Sequence, residues 1–233
     1  MSKSALLTIH QVLRRCFHSL ENNQKLWMSV VAECIPLMAS LENLAEQSRA
    51  LSNVQISNTP LKDFPQVEEL LRFKLSQAMD TVLCKLHQNI DSLATSPGCT
   101  TPLGQSQLGL LLTRNANEDK WCSKWMAVCM KYGVVSTAVQ LYEQNTDSLD
   151  LVTVTERSAT VPSVIDMMEW LHNAARHYRQ QFTRRKILLH TLSSYNLNLL
   201  VSATKRWKDL DTPSAEDQIT DALCKVSFFM ESG

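Results

Sequence analysis

Glycine is scarce: there are five in 233 residues. So few exclude a turn-rich β protein and leave no glycine-rich cradle for a nucleotide. An excess of charge is lacking too. The 23 lysines and arginines balance 23 aspartates and glutamates, whereas chains that live on bare nucleic acid ordinarily carry a large positive surplus. No unbroken apolar run approaches the roughly 18 residues of a membrane span. Arg14, Arg15 and His18 interrupt the only stretch near the N-terminus that resembles a leader. Seven cysteines stand at 16, 34, 84, 99, 122, 129 and 224, with no C-x-x-C pair. An odd, scattered set without a leader predicts a soluble, intracellular, reduced chain whose cysteines are small buried hydrophobes.

Enzyme motifs are missing as well. The sequence has no G-x-x-x-x-G-K-[ST], G-x-G-x-x-G, H-E-x-x-H or G-x-S-x-G, so ATP hydrolysis is expected of a partner and not of this chain. Glu169 precedes His172 by three residues, but a di-iron bundle needs a second such pair. His172 and His177 lie about 140° apart around a helix and cannot share a ligand face. We expect no catalytic residue, no cofactor and no metal.

What is present is helical period. From Leu6, alternating steps of three and four reach Ile9, Leu13, Cys16, Leu20, Asn23, Trp27, Val30, Cys34, Leu37, Leu41, Leu44, Ser48 and Leu51. Only Asn23 and Ser48 are polar, so a long heptad helix is predicted over 4–51, kinked at Pro36 outside the seam. Asn23 either fixes register or marks where the helix meets water. A second helix is predicted over 60–93, starting near Thr59-Pro60 or Phe64-Pro65, on the row Val67, Leu71, Leu75, Met79, Val82, Leu86, Ile90 and Leu93. Residues 95–120, with glycines and prolines and no apolar period, read as a flexible insertion. A third helix is expected over 121–145 on Trp121, Trp125, Val128, Tyr132, Val135, Val139 and Tyr142, after which "DLVTVT" reads as a short extended piece.

The fourth helix, 163–193, opens with Ser163 as cap and Asp166 three residues on. Its seam is Val164, Met168, Leu171, Ala175, Tyr178, Phe182, Arg185, Leu189 and Leu192. Arg176, Arg179, Arg184 and Lys186 lie outside that seam. They are either a solvated basic face or a contact patch. Two short helices fill 196–230, the second starting at Thr212-Pro213. Phe228 and Phe229 are adjacent, so they cannot both face one core. Either one faces a partner or the helix is packed between two elements. The fold class is all-α: one domain over 1–233, an elongated bundle of long coiled-coil-like heptad helices.

Four segments together carry a resemblance: "RRCFHSLENNQKLWMSVVAECIPLMASLENLAEQ" (14–47), "VQLYEQNTDSL" (139–149), "PSVIDMMEWLHNAARHYRQQFTRRKILL" (162–189) and "VSFFMES" (226–232). In order and in content they resemble the AIRIM family, ribosome maturation factors associated with spermatogenesis-associated AAA ATPases. The resemblance implies a non-enzymatic subunit of a hexameric ATPase assembly, present in cytoplasm and nucleus. It would work beside a second coiled-coil subunit, the cyclin-dependent-kinase-interacting protein. The assembly would release shuttling factors from late precursors of the large (60S) ribosomal subunit and take part in protein turnover at replication forks. Residues 95–124 depart from the family pattern and read as a genuine insertion, a splice variant or a gene-model error.

Two functions follow as expectations. One is an adaptor whose partner-binding residues are Leu13, Leu20, Trp27, Trp170, Arg176, Arg179, Arg184, Arg185, Phe228 and Phe229. It would keep an apolar strip open for a partner helix, the alternative being a closed monomeric bundle. The other is a helical nucleic-acid- or ribosome-binding protein that uses the basic face of 176–186. On the first, contact with pre-60S particles is indirect, and neither membrane nor sequence-specific nucleic acid is engaged.

Overall fold

The first 97 residues contain no glycine, and a single unbroken helix fills more than half of them. This is a computed structural model that describes residues 2–64, 66–95, 151–158 and 160–231. Helix α1 is Ser2–Asn53, with Pro36 inside it. Two 3-10 turns, Ile56–Asn58 and Pro60–Asp63, lead into α2, Val67–Thr95. Then come α3 Leu151–Thr155, α4 Val164–Thr191, α5 Leu197–Val201, α6 Ala203–Lys208, α7 Pro213–Lys225 and α8 Ser227–Glu231. The fold is all-α, with no strand among the described residues. The predicted insertion beyond Thr95 and the predicted helix 121–145 lie outside the described residues.

Three local expectations shift. α2 begins at Val67, by the later of the two expected starts and not at 60, because Pro60 opens a 3-10 turn capped by the Thr59 side chain. Residues 151–155 are helical and not extended. Their β-branched side chains favour strands, but Val154 is fully buried, and tertiary packing overrides so weak a preference. The C-terminal region forms four short helices, broken at Ser202 and Val226, where two were predicted.

The chain divides into two compact units. The first combines Met1–Leu26, Ala94–Gln180 and Thr212–Gly233. Its core is Ile9, Leu13, Cys16, Phe17 and Leu20 of α1, Val164, Met167, Leu171, Ala174 and Tyr178 of α4, and Ile219, Leu223 and Phe229 near the C-terminus. The inner row of α4 runs one residue earlier at two places than the predicted seam, with Met167 and Ala174 buried in place of Met168 and Ala175. The second unit combines Trp27–Leu93 and Gln181–Asp211. Its core holds Trp27, Val30, Cys34, Met38 and Leu41 of α1, Met79, Leu86 and Ile90 of α2, Phe182 and Leu189 of α4, and Trp207 of α6. Past Cys34 the buried row of α1 steps to Met38, Leu41 and Ala45, leaving Leu37 and Leu44 half-buried. A 3.6-residue helix drifts about 20° per heptad against a strict 3.5 repeat, and one extra four-residue step restores the inward face.

The start of α4 is built as its sequence suggests. The Ser163 hydroxyl accepts from the Asp166 amide (3.1 Å) and donates to the Asp166 carboxylate (2.6 Å). Arg157 then binds that carboxylate with two nitrogens, each at 2.8 Å. Arg157 first and Ser163 second hold the Asp166 carboxyl below its ordinary range. A depressed carboxylate contributes stability that is present above its unfolded-state pKa and lost as pH falls through the folded one. Asp166→Asn should therefore melt below wild type at pH 7, and the difference should begin to shrink as pH falls below about 4. A gap of the same size at every pH would mean that the aspartate acts by packing and not by charge.

One correction concerns membranes. By length and composition alone, Leu6–Asn53 is apolar enough to cross one, although no uninterrupted apolar run spans it. Core helices satisfy the same criterion, and the row Trp27, Val30, Cys34, Met38 and Leu41 is buried inside the second unit. The cysteines are mixed. Cys16 and Cys34 are buried, and burial pushes their thiols up to about 12 and about 11. Cys84 and Cys224 are exposed, contrary to the expectation for the set.

Candidate partner-binding surface

In the first unit, Leu13 and Leu20 face inward on α1, at 0% and 9% exposure. The adjacent phenylalanines of α8 separate: Phe229 is fully buried, while Phe228 is 65% exposed. Phe229 is fixed from α1. Arg14 Nε donates to the Phe229 carbonyl (2.8 Å), its guanidinium lies 4.8 Å from the ring centre, and His10 meets the ring edge-on at 5.4 Å. Burial, then the charge of Arg14, lowers the His10 pKa. Trp170 is half-buried, with Lys225 Nζ 5.7 Å from its ring centre. Arg176 and Arg179 are exposed. Asn23 is half-buried, and its amide reaches the Ser19 hydroxyl at 3.5 Å.

In the second unit Arg184 is exposed, but its neighbour is wholly enclosed. The Arg185 guanidinium sits 5.3 Å from the Trp27 ring centre and 5.1 Å from that of Trp207. It also binds Gln181 one turn back and the carboxylate of Asp211. A seam arginine is thus held between two indole faces, an arrangement suited to a planar and weakly hydrated cation. Lys186 is paired with Asp91 of α2. Next to that pair the rings of His87 and His190 lie 5.2 Å apart. Burial lowers the His87 pKa, as do His190 and Lys186, while Asp91 opposes them.

Five of the ten sequence candidates, Leu13, Leu20, Trp27, Arg185 and Phe229, therefore belong to the chain's own cores. Arg176, Arg179, Arg184 and Phe228 are exposed. Sequence reasoning missed an apolar group in the second unit: Leu61 (41% exposed), Phe64 (62%), Leu70 (56%) and Phe73 (59%). The available signal was the crowding of Leu70, Leu71 and Phe73, which no single helix face accommodates.

The family model described as CA109-like, ribosome biogenesis protein C1orf109-like, matches residues 7–97 and 132–228. Three relatives carry the name AFG2-interacting ribosome maturation factor. The protein from Danio rerio is 39% identical over 232 residues, all of both chains. That from Homo sapiens is 34% identical over 227 residues, 97% of each chain. That from Xenopus tropicalis is 31% identical over 232 residues, 99% of this chain and 98% of its own. The gap in the family match falls on the stretch expected to be an insertion, but the end-to-end match to the zebrafish protein leaves no room for a net insertion relative to that relative. With most of its length matched by the family model and its whole length by the relatives, the chain belongs to the CA109-like family of ribosome biogenesis proteins.

Proposed function

We propose that this chain is a ribosome maturation factor that acts as a non-enzymatic adaptor to an AFG2-type AAA ATPase. The observation that carries this reading is the end-to-end similarity to relatives named for that interaction. The described residues agree with it: helices, packed cores and exposed apolar and arginine side chains offer surfaces for other chains. In the finer form of the proposal the ATPase is the hexameric spermatogenesis-associated type, and the cyclin-dependent-kinase-interacting protein is a second coiled-coil subunit. The assembly strips shuttling factors from cytoplasmic 60S precursors and serves protein turnover at replication forks, so the chain resides in cytoplasm and nucleus.

The second reading, a nucleic-acid or ribosome contact through 176–186, is supported by three exposed arginines, Arg176, Arg179 and Arg184. It is weakened by the burial of Arg185 and the pairing of Lys186. Salt separates the two. Three phosphate contacts predict a loss of RNA affinity of about 20- to 40-fold between 50 and 200 mM salt. An apolar helix interface changes far less. The test is co-expression with the AFG2-type ATPase of the same organism, followed by purification at both salt concentrations. A complex that survives 200 mM salt supports the adaptor. Absence of any complex, together with salt-steep RNA binding, would overturn it.

A further inference from the structure

We infer that the end of the second unit formed by residues 54–78 is a docking site for an amphipathic helix of a different protein chain, with basic residues along one edge and acidic residues along the other. The inference goes beyond the proposed function and holds whichever chain supplies the helix.

The starting point is what this segment fails to bury. Among its described residues none is buried: α2 buries its first side chain only at Met79, and the Pro60–Asp63 turn buries none. Yet it carries Leu61, Phe64, Leu70 and Phe73, each at least 41% exposed. Leu61, Phe64, Val67 and Leu70 line a groove of about 450 Å³. The segment is held by half-buried Ile56, Val67 and Leu75 and by polar ties. Arg72 bonds Ser52 of α1 (3.0 Å) and Glu68 (2.8 Å), and Thr59 caps the turn. Gln66, on the groove wall, takes a left-handed φ of 71°. A non-glycine residue there costs energy. An exposed apolar patch beside a groove, completing no internal core, is the signature of an interaction site.

Its geometry selects the occupant. Leu70, Phe73 and Gln77 follow one another at helical steps, so an exposed stripe runs down α2. At about 100° per residue, Glu69 and Asp80 fall along one edge of the stripe and Lys74 along the other. A partner helix lying along this stripe meets two acids on one side and a base on the other, which specifies the opposite order on its own flanks. A second copy of this chain fits poorly. An antiparallel two-fold pair sets each edge against itself, the Glu69 and Asp80 edge meeting its own copy and the Lys74 edge meeting its own. A parallel pair brings the α2 helices together along their length, where Gln77, Asp80 and Thr81 supply no apolar seam.

The test places benzoylphenylalanine at position 73 of the full chain in cells, irradiates, and sequences the cross-linked peptide. A Phe228 position serves as the control. The expected product is a peptide of another chain with apolar residues at i, i+3 or i+4 and i+7, and with basic and acidic flanks. A peptide without that pattern, a product within this chain, a second copy, or no product above the control overturns the inference. With the photoprobe moved to position 70, Phe64→Glu with Phe73→Glu should lower the yield at least tenfold, and Glu69→Lys at least fivefold. Melting should shift by no more than a few degrees, because none of these side chains is part of a buried core. Full yield in these variants, or a loss of folding, also overturns it. Should the cross-linked chain prove foreign to the ATPase assembly and co-expression give no ATPase complex, the adaptor reading falls and the docking site stands. An intact ATPase complex with no cross-link gives the reverse.

Discussion

Arg185→Ala should destabilise the protein by about 4 kcal/mol, the largest effect expected from replacing any single charged residue. The estimate sums three physical losses. A desolvated guanidinium over an aromatic face contributes about 2 kcal/mol at best, and this one faces both Trp27 and Trp207. Its charge-assisted hydrogen bonds contribute about 1.5–3 kcal/mol each, discounted at Asp211 because that carboxylate is half exposed. Truncation also opens a hole between two indoles that cannot fully collapse. The variant set identifies the cause. Arg185→Met keeps volume and removes the cost of burying a charge, so it should lose less than half as much as the alanine variant. Arg185→Lys should lose more than Met, since an ammonium cannot lie flat between two rings while reaching Asp211. Urea unfolding followed by Trp fluorescence reads the transition directly. If alanine cost under 1 kcal/mol, the tryptophan enclosure would carry no energetic weight.

The seam that contains Arg185 was visible in the sequence, and its inward position follows from the spacing. The reason an arginine stands there was not visible. It depends on Trp27, 158 positions away in the chain, and on Trp207, and no local pattern ties those three together. The same divide runs through the rest of the molecule. Ile9, Leu13, Leu41, Tyr178 and Leu189 were legible because a helix repeats every 3.6 residues and the core selects one side. The capping of α4 was legible because Ser163 and Asp166 act within one turn. The shift from Leu37 to Met38 was not, because small drifts of a straight helix accumulate and only the neighbouring elements decide where they are corrected. Nor was the exposed group at 61–73. The row Val67, Leu71, Leu75 is periodic enough to read as core, yet Leu71 is 39% exposed. Periodicity reports that a face is apolar. It does not report whether this chain or another one covers it.

Leu13→Glu combined with Leu20→Glu should abolish cooperative folding of the first unit, and this separates a core seam from a partner seam. Both leucines lie on the inner row of α1 beside Ile9, Cys16 and Phe17, and Leu13 is fully enclosed. Removing a buried leucine costs about 2–5 kcal/mol. Placing an unpartnered carboxyl in its position adds roughly 1–3 kcal/mol even after the group takes up a proton. Two such sites cost about 6–16 kcal/mol, as much as the roughly 5–15 kcal/mol that holds an ordinary domain together. The expected result is loss of helical circular dichroism in the free chain, with any loss of partner following from unfolding. Leu13→Ala is the gentler probe and should remain folded with a melting temperature lowered by several degrees. Phe228→Glu is the contrast. That ring is 65% exposed, so the change should stay within about 0.5 kcal/mol, and any partner lost in that background is lost from a folded surface. A Leu13/Leu20 double variant that kept its helicity and its melting transition would show that the α1 row is not the spine of this unit. Those leucines would then be available to another chain.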